Sequence, residues 1–319
     1  MPHATPLPEL PDAFAATTAY ALGLTRAQLR RAGITTPRSG VRRMQHPPPA
    51  GETPWERRER EHLERIGDEV ARLPAGAAIS HVSAAVLHGL PLRMLRIGDD
   101  VHVTAPSDES RRRRKGTVVH PLPRDAAGFV RPFGFAVTDP VTTWCALAAT
   151  VSVDELIAIG DALVCRQNPV ATLEDLHAAV RHHGQRWGVK RLRDALLQVR
   201  ARTDSPRETE LRLILVRGGL PEPDVNASTR GYGGRHVKWG DLVHPDYRVL
   251  TEYDGEQHRT DSAQYAKDAA DIEELVASGW RVVRVRKGDM HDPAAIVARV
   301  RNALRAQGYP AITDGSGRS

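Results

Sequence analysis

The most informative pattern of apolar and polar positions lies at residues 237–254, which read VKWGDLVHPDYRVLTEYD. His244, Pro245, Asp246 and Tyr247 make a turn, because proline and aspartate suit its central positions. The flanks, 237–243 and 248–254, then read as the two strands of a hairpin. Side chains alternate between the faces of a strand, so Leu250, Glu252 and Asp254 share one face and Val249, Thr251 and Tyr253 the other. With the turn centred between Pro245 and Asp246, Asp241 falls opposite Leu250 and diagonal to Glu252. Two carboxylates converging from neighbouring strands suit a hard cation such as Mg²⁺ or Mn²⁺. A solvated acidic face is the plainer reading of such a pair. The apolar neighbours, which suggest a central strand, argue against it.

The pattern elsewhere predicts mostly helices. Residues 13–22 and 26–32 read as two short helices around Gly23, with Thr25 capping the second. A charged helix is expected over 54–73, with Thr53 as cap, and a short one ending at Gly89. Strands are expected at 101–105 and 116–121, then helices over 138–149, 153–166, 173–183 and 187–202. Ser205-Pro206-Arg207-Glu208 is a capping box, in which Glu208 reaches back to the cap. After the hairpin come a helix over 260–278, a strand over 280–285 parallel to 248–254, and a helix from Asp292-Pro293 to about Gly308. The fold class is therefore α/β of a mixed α+β kind. The expected division is 1–45, 46–202 and 203–308, with a disordered tail over 309–319.

Composition adds a few constraints. The chain has 319 residues and a formal net charge of +6, with arginine outnumbering lysine. A basic excess favours a polyanionic partner such as nucleic acid. Arg111, Arg112, Arg113, Arg114 and Lys115 form a run between two expected strands, able to clamp phosphates or to stay solvated. Cys145 and Cys165 show no disulfide or zinc spacing and read as buried thiols of a reducing compartment. No long apolar run predicts a membrane span, no signal pattern opens the chain, and a cytoplasmic location is expected. His81 and His88 find no third ligand and read as structural, as does the His182-His183 helix end. Walker-type and dinucleotide-type glycine loops are absent, because Gly231, Gly233 and Gly234 lie in a polar loop before a strand.

An aspartate on one strand and a glutamate on the next, followed by Glu252-Tyr253-Asp254-Gly255 and His258, resemble the PD-(D/E)xK nuclease core. The version here is similar to a family of uncharacterised bacterial domains allied to very-short-patch repair endonucleases. It runs from Ser205-Pro206-Arg207-Glu208 to Gly279-Trp280-Arg281-Val282-Val283-Arg284-Val285, about the last third of the chain. It implies a restriction-endonuclease-like core, with a mixed central sheet flanked by helices, and a Mg²⁺-dependent endonuclease acting on DNA. Asp241 and Glu252 are the implied metal ligands, and Glu208 caps its helix, joins the metal site, or does both. In that motif a lysine stands where this chain has Asp254, which is left as a further ligand or a proton acceptor. His258 is then a candidate general base or phosphate donor. Lys267 is a candidate for the missing charge, and Arg259 for a phosphate contact.

Upstream, GLTRAQLRRAGI resembles a helix-turn-helix unit. ISHVSAAVLHGLPL, the strands that follow it and TDPVTTWCALA resemble the effector region of type IV abortive-infection antitoxins. That resemblance implies a second class of function, a DNA-binding regulator with a catalytically impaired nuclease fold. It also leaves a toxin or defence partner open.

Overall fold

The structure is a computed structural model. It describes residues 12–30, 33–92, 96–106, 114–122, 128–255 and 262–310, with side chains of 262–266 left aside. The fold is mixed α/β. Contacts group the chain into two compact units, 1–156 with 178–193 and 157–177 with 194–319. Among the described residues no helix is long and apolar enough to cross a membrane.

The first unit begins with β1 (Ala13–Ala15) and α1 (Ala16–Ala21), followed by β2 (Ile34–Thr35) and β3 (Val41–Met44). The strands form an antiparallel sheet in the order β1-β3-β2. Phe14, Ala19, Leu24 and Leu29 make its core. The helix expected over 26–32 is a single 3-10 turn, Gln28–Arg30, in its described part. Thr25 does cap that turn, but Leu29 alone is buried from it, and one apolar contact does not sustain a longer helix.

The capping box on α2 (Pro54–Val70) is complete, with Thr53 and Glu56 satisfying each other's orphan amides. Next come β4 (Ala78–Ile79), α3 (His81–Leu87), β5 (Val101–Ala105), β6 (Thr117–Pro121), β7 (Phe129–Val130), β8 (Val137–Thr138) and α4 (Pro140–Leu147). These strands form a mixed sheet in the order β6-β5-β4-β8-β7. Its core joins Ile79, Val101, Val103 and Val137 to Ile66 of α2 and Ala84 of α3. Helices α5 (Val153–Leu163), α6 (Leu173–His183) and α7 (Val189–Leu196) each contain a boundary between the units.

The second unit holds α8 (Pro206–Arg217), β9 (Asp224–Arg230), β10 (His236–His244), β11 (Val249–Asp254), α9 (Ser262–Ala277), β12 (Arg281–Arg286) and α10 (Pro293–Arg305). The sheet order is β12-β11-β10-β9. The β11–β12 pair is parallel, as the helical crossover requires, and the others are antiparallel. Leu242, Val249 and Val285 pack on Leu211 and Leu215 of α8 and on Ile296, Val300 and Leu304 of α10. On the opposite face Val243 and Leu250 pack on Leu275 of α9 and on Trp280. Burying each such side chain contributes about 1.5–3 kcal/mol, so both faces of the sheet are fixed by packing.

Two features of this unit differ from expectation. Strand β9 is additional: its sequence DVNASTR has little apolar content, and it forms because the polar edge of β10 needs a partner. The hairpin register is also shifted. Leu250 pairs with Val243, not Asp241. Pro245–Tyr247 form a 3-10 turn and Arg248 takes a left-handed φ of 50°, so the loop is longer than a two-residue centre allows.

Candidate functional site

Glu208 enters the site from the first turn of α8. Ser205 caps the helix by accepting the Glu208 amide at 3.2 Å, and its hydroxyl donates to Glu208 Oε1 at 2.9 Å. Glu208 Oε2 accepts from the Asp204 amide at 3.0 Å and from Asn226 Nδ2 at 2.8 Å. The carboxylate thus reaches one residue further back than a capping box requires. Burial raises its pKa, and the three donors oppose that rise.

Asp241 is set by a fork between two strands. The β10–β11 ladder joins Leu242–His244 to Val249–Thr251. Beyond it the Tyr253 amide donates to Asp241 Oδ2 at 2.8 Å, in place of a backbone carbonyl. Gly240 permits the close approach there. A Cβ at that position would sit 2.3 Å from Leu250 Cδ1 and 3.0 Å from Val243 Cγ2. Burial, followed by the negative charges of Glu208 and Glu252, pushes the Asp241 carboxyl up to about 8. Acids on α8 and β11 therefore both bear on the Asp241 carboxyl of β10.

The cation that meets this group is Lys238, whose Nζ lies 2.7 Å from Glu252 Oε1. Lys238 stands three residues before Asp241, an odd spacing that regular alternation sends to the opposite face. A bulge intervenes: Arg230 pairs with His236 and Ser228 with Trp239, so β10 carries one extra residue there. Bulges re-aim side chains in this way. Sequence alternation therefore gave no signal for Lys238. Asn226, with a left-handed φ of 43°, was equally silent.

The other expected residues are spread out. Asp254 pairs in register with Arg286 on β12, and its Oδ2 lies 3.9 Å from Arg286 Nε. Lys267 is exposed on α9. His258, Arg259, Arg111, Arg112 and Arg113 lie outside the described residues. Arg114 is engaged by Glu69 at 3.3 Å, in a network that also holds Arg38, Arg72 and Thr117. Lys115 is exposed, and its carbonyl accepts from Arg38. Arg26 and Arg30 are exposed in the N-terminal sheet region.

A second titratable cluster lies in the first unit. His81 and His120 stack with ring centroids 3.5 Å apart, and His102 Nδ1 is 3.0 Å from His120 Nε2. His81 has a left-handed φ of 51° and meets Ser80 Oγ at 3.0 Å. His62 bridges the Gly98 carbonyl and Ser83 Oγ, at 3.1 and 2.9 Å. Burial lowers all four imidazoles, His62 and His120 to about 4 and His81 to about 2. His88, apart from this group, meets the Thr138 carbonyl at 2.7 Å, the structural role expected of it.

Among the described residues no three His, Cys, Asp or Glu side chains are gathered around one ion position. The charge of Glu252 nevertheless raises the Asp241 carboxyl, and Lys238 is the cation that meets Glu252.

No family model and no solved structure matches the chain. Two curated proteins from different strains of Mycobacterium tuberculosis, each described as uncharacterized, are 28% identical to it over 190 residues. The match covers 59% of this chain and 68% of each relative.

Proposed function

We propose that this chain is a divalent-metal-dependent endonuclease that hydrolyses phosphodiester bonds in DNA. The observation that carries the reading is the geometry around the half-buried Asp241 carboxyl, which accepts the Tyr253 amide at 2.8 Å beside a Glu252 that Lys238 meets at 2.7 Å. Burial and the charges of Glu208 and Glu252 push Asp241 up to about 8. Asp241 and Glu252 would hold Mg²⁺ or Mn²⁺, which would neutralise phosphate charge and acidify a water. Lys238, on Glu252, supplies the cation that Asp254 cannot, and so orients a water or a phosphate oxygen. Asn226, Ser205 and the Asp204 amide hold Glu208 in place behind the ligands. A DNA-binding regulator with an impaired nuclease fold is the alternative. The lysine missing at Asp254 and the helix-turn-helix resemblance both support it, and Lys238 weakens the first of these.

The test is nicking of supercoiled plasmid by the full chain with Mn²⁺ or Mg²⁺, set against a chelator. Wild type should nick only with metal, and Asp241→Asn should abolish nicking while melting no lower than wild type at pH 8. The stability half follows from the sign of the shift. A carboxyl raised from ~4 to about 8 on folding destabilises progressively as pH rises through that window, and asparagine escapes this. If wild type neither nicks plasmid nor binds Mn²⁺ by calorimetry, the regulator reading replaces the enzyme.

A further inference from the structure

Beside the acidic fork lies a cavity of about 630 Å³, lined by Arg200, Arg202, Asp224, Ser228 and Trp239 among others. We propose that it is a nucleobase subsite, in which an unpaired base of a single DNA strand stacks on Trp239. The choice of ligand class rests on the nuclease reading; the cavity and its chemistry do not.

Trp239 sits on β10, an inner strand of the sheet, yet its side chain remains 44% exposed. An indole left this open on an interior strand is apolar surface that the fold has not used. The Arg202 guanidinium lies 5.0 Å from the ring centroid. Among the described residues no carboxylate pairs with Arg202; its Nη2 donates to the Asn226 carbonyl at 3.0 Å. The His236 ring, 5.2 Å from the indole, is held by Ser228 Oγ at 2.7 Å from Nδ1. An aromatic face, a cation above it and a cavity of ligand size are the parts of a base-stacking platform.

The cavity wall is tied to the acids. Asn226 Nδ2 donates both to the Arg202 carbonyl at 2.9 Å and to Glu208 Oε2 at 2.8 Å. Arg202 and Asn226 each hold a left-handed φ, 78° and 43°, a conformation that costs non-glycine residues energy and is kept where geometry matters. Trp239 precedes Asp241 by two residues, roughly 7 Å along a strand at ~3.3 Å per residue. A base on Trp239 therefore lies within one nucleotide's reach of the fork. Arg200 is already paired with Glu222 at 3.0 Å. Asp224 remains to accept an exocyclic amine, which favours cytosine or adenine over thymine.

The experiment measures binding of fluorescein-labelled 12-mers to the full chain by anisotropy, in EDTA so that no cleavage intervenes. The probes are single-stranded oligo-dC, the same strand with central abasic sites, and a duplex of the same length. Wild type should bind the intact single strand more tightly than the abasic one. Trp239→Leu, which keeps apolar bulk and removes the stacking face, should weaken oligo-dC binding about tenfold or more. Its affinity for duplex and abasic probes should change less than about twofold, and Trp239→Phe should keep most of the preference. Equal oligo-dC affinity in Trp239→Leu and wild type overturns the subsite, as does an equal loss on all three probes. A Trp239-dependent preference in a chain that never nicks plasmid keeps the subsite and removes the nuclease. Nicking without that preference does the reverse.

Discussion

The histidine cluster of the first unit and the carboxylate fork of the second respond to burial in opposite ways. Both gather titratable side chains in a poorly solvated place, and in both the first cause of the pKa shift is desolvation of the charged form. The imidazoles answer by staying neutral. At pH 7 they carry no charge, and Ser80, Ser83 and the Gly98 carbonyl satisfy ring nitrogens. The acids answer by keeping a proton on Asp241, and Lys238 covers Glu252. A divalent ion can displace that proton. A buried cluster that is complete at neutral pH reads as structure, whereas one completed only by a borrowed proton invites a ligand.

The largest expected effect separates the fork's cation from an ordinary ion pair. Lys238→Ala should lower metal-dependent nicking about 10²- to 10³-fold, the usual loss on removing one charge-stabilising donor. Mn²⁺ binding, measured separately, should survive, because freeing Glu252 does not remove a ligand. Unchanged nicking would leave Lys238 as a neutralising partner only.

A second effect concerns the proton. Because Asp241 is held up to about 8, binding of Mn²⁺ must release it, and affinity should rise about tenfold per pH unit between pH 6 and 8. Calorimetry in buffers of different ionisation enthalpy reads the same proton directly. A flat profile, with no proton released, removes Asp241 from the ligand set.

The smallest effect tests the other half of the comparison. His62 and His120 fall to about 4 in the folded protein, below the ~6.5 of an unfolded histidine. Their contribution to stability is therefore present above ~6.5 and lost as pH falls through 4. Thermal melts should show the first unit weakening over that window, and His120→Asn should shrink the difference between pH 7 and pH 5 by a few degrees. An unchanged pH dependence in the variant would mean that His120 does not share in the titration.

Much of the second unit was legible along the chain because its signals are local. Ser205-Pro206 starts α8 and Asp292-Pro293 starts α10, each with the capping side chain in place. The apolar positions of β11 and β12 fix a parallel pair, with Val249 and Leu250 of β11 and Val285 of β12 buried. Helix α7 is shorter than its 187–202 span: Trp187 before it and Leu197 after it are exposed, and Val199 is buried outside the helix. The N-terminal helices shrank similarly, since short helices depend on packing more than on propensity.

The sequence by itself determined that Asp241, Glu252 and Glu208 belong to one α/β region, because caps, turns and alternation act over a few residues. Only the tertiary structure decided how they meet. The bulge before Trp239, the left-handed residues Asn226, Arg202 and Arg248, and the close approach at Gly240 are each a departure from regular geometry. Together they bring Lys238 to Glu252 and open the cavity at Trp239. Such departures are stabilised by partners distant in sequence, so a reading built on regular periods puts Asp241 and Glu252 on neighbouring strands, misses their register and passes over Lys238.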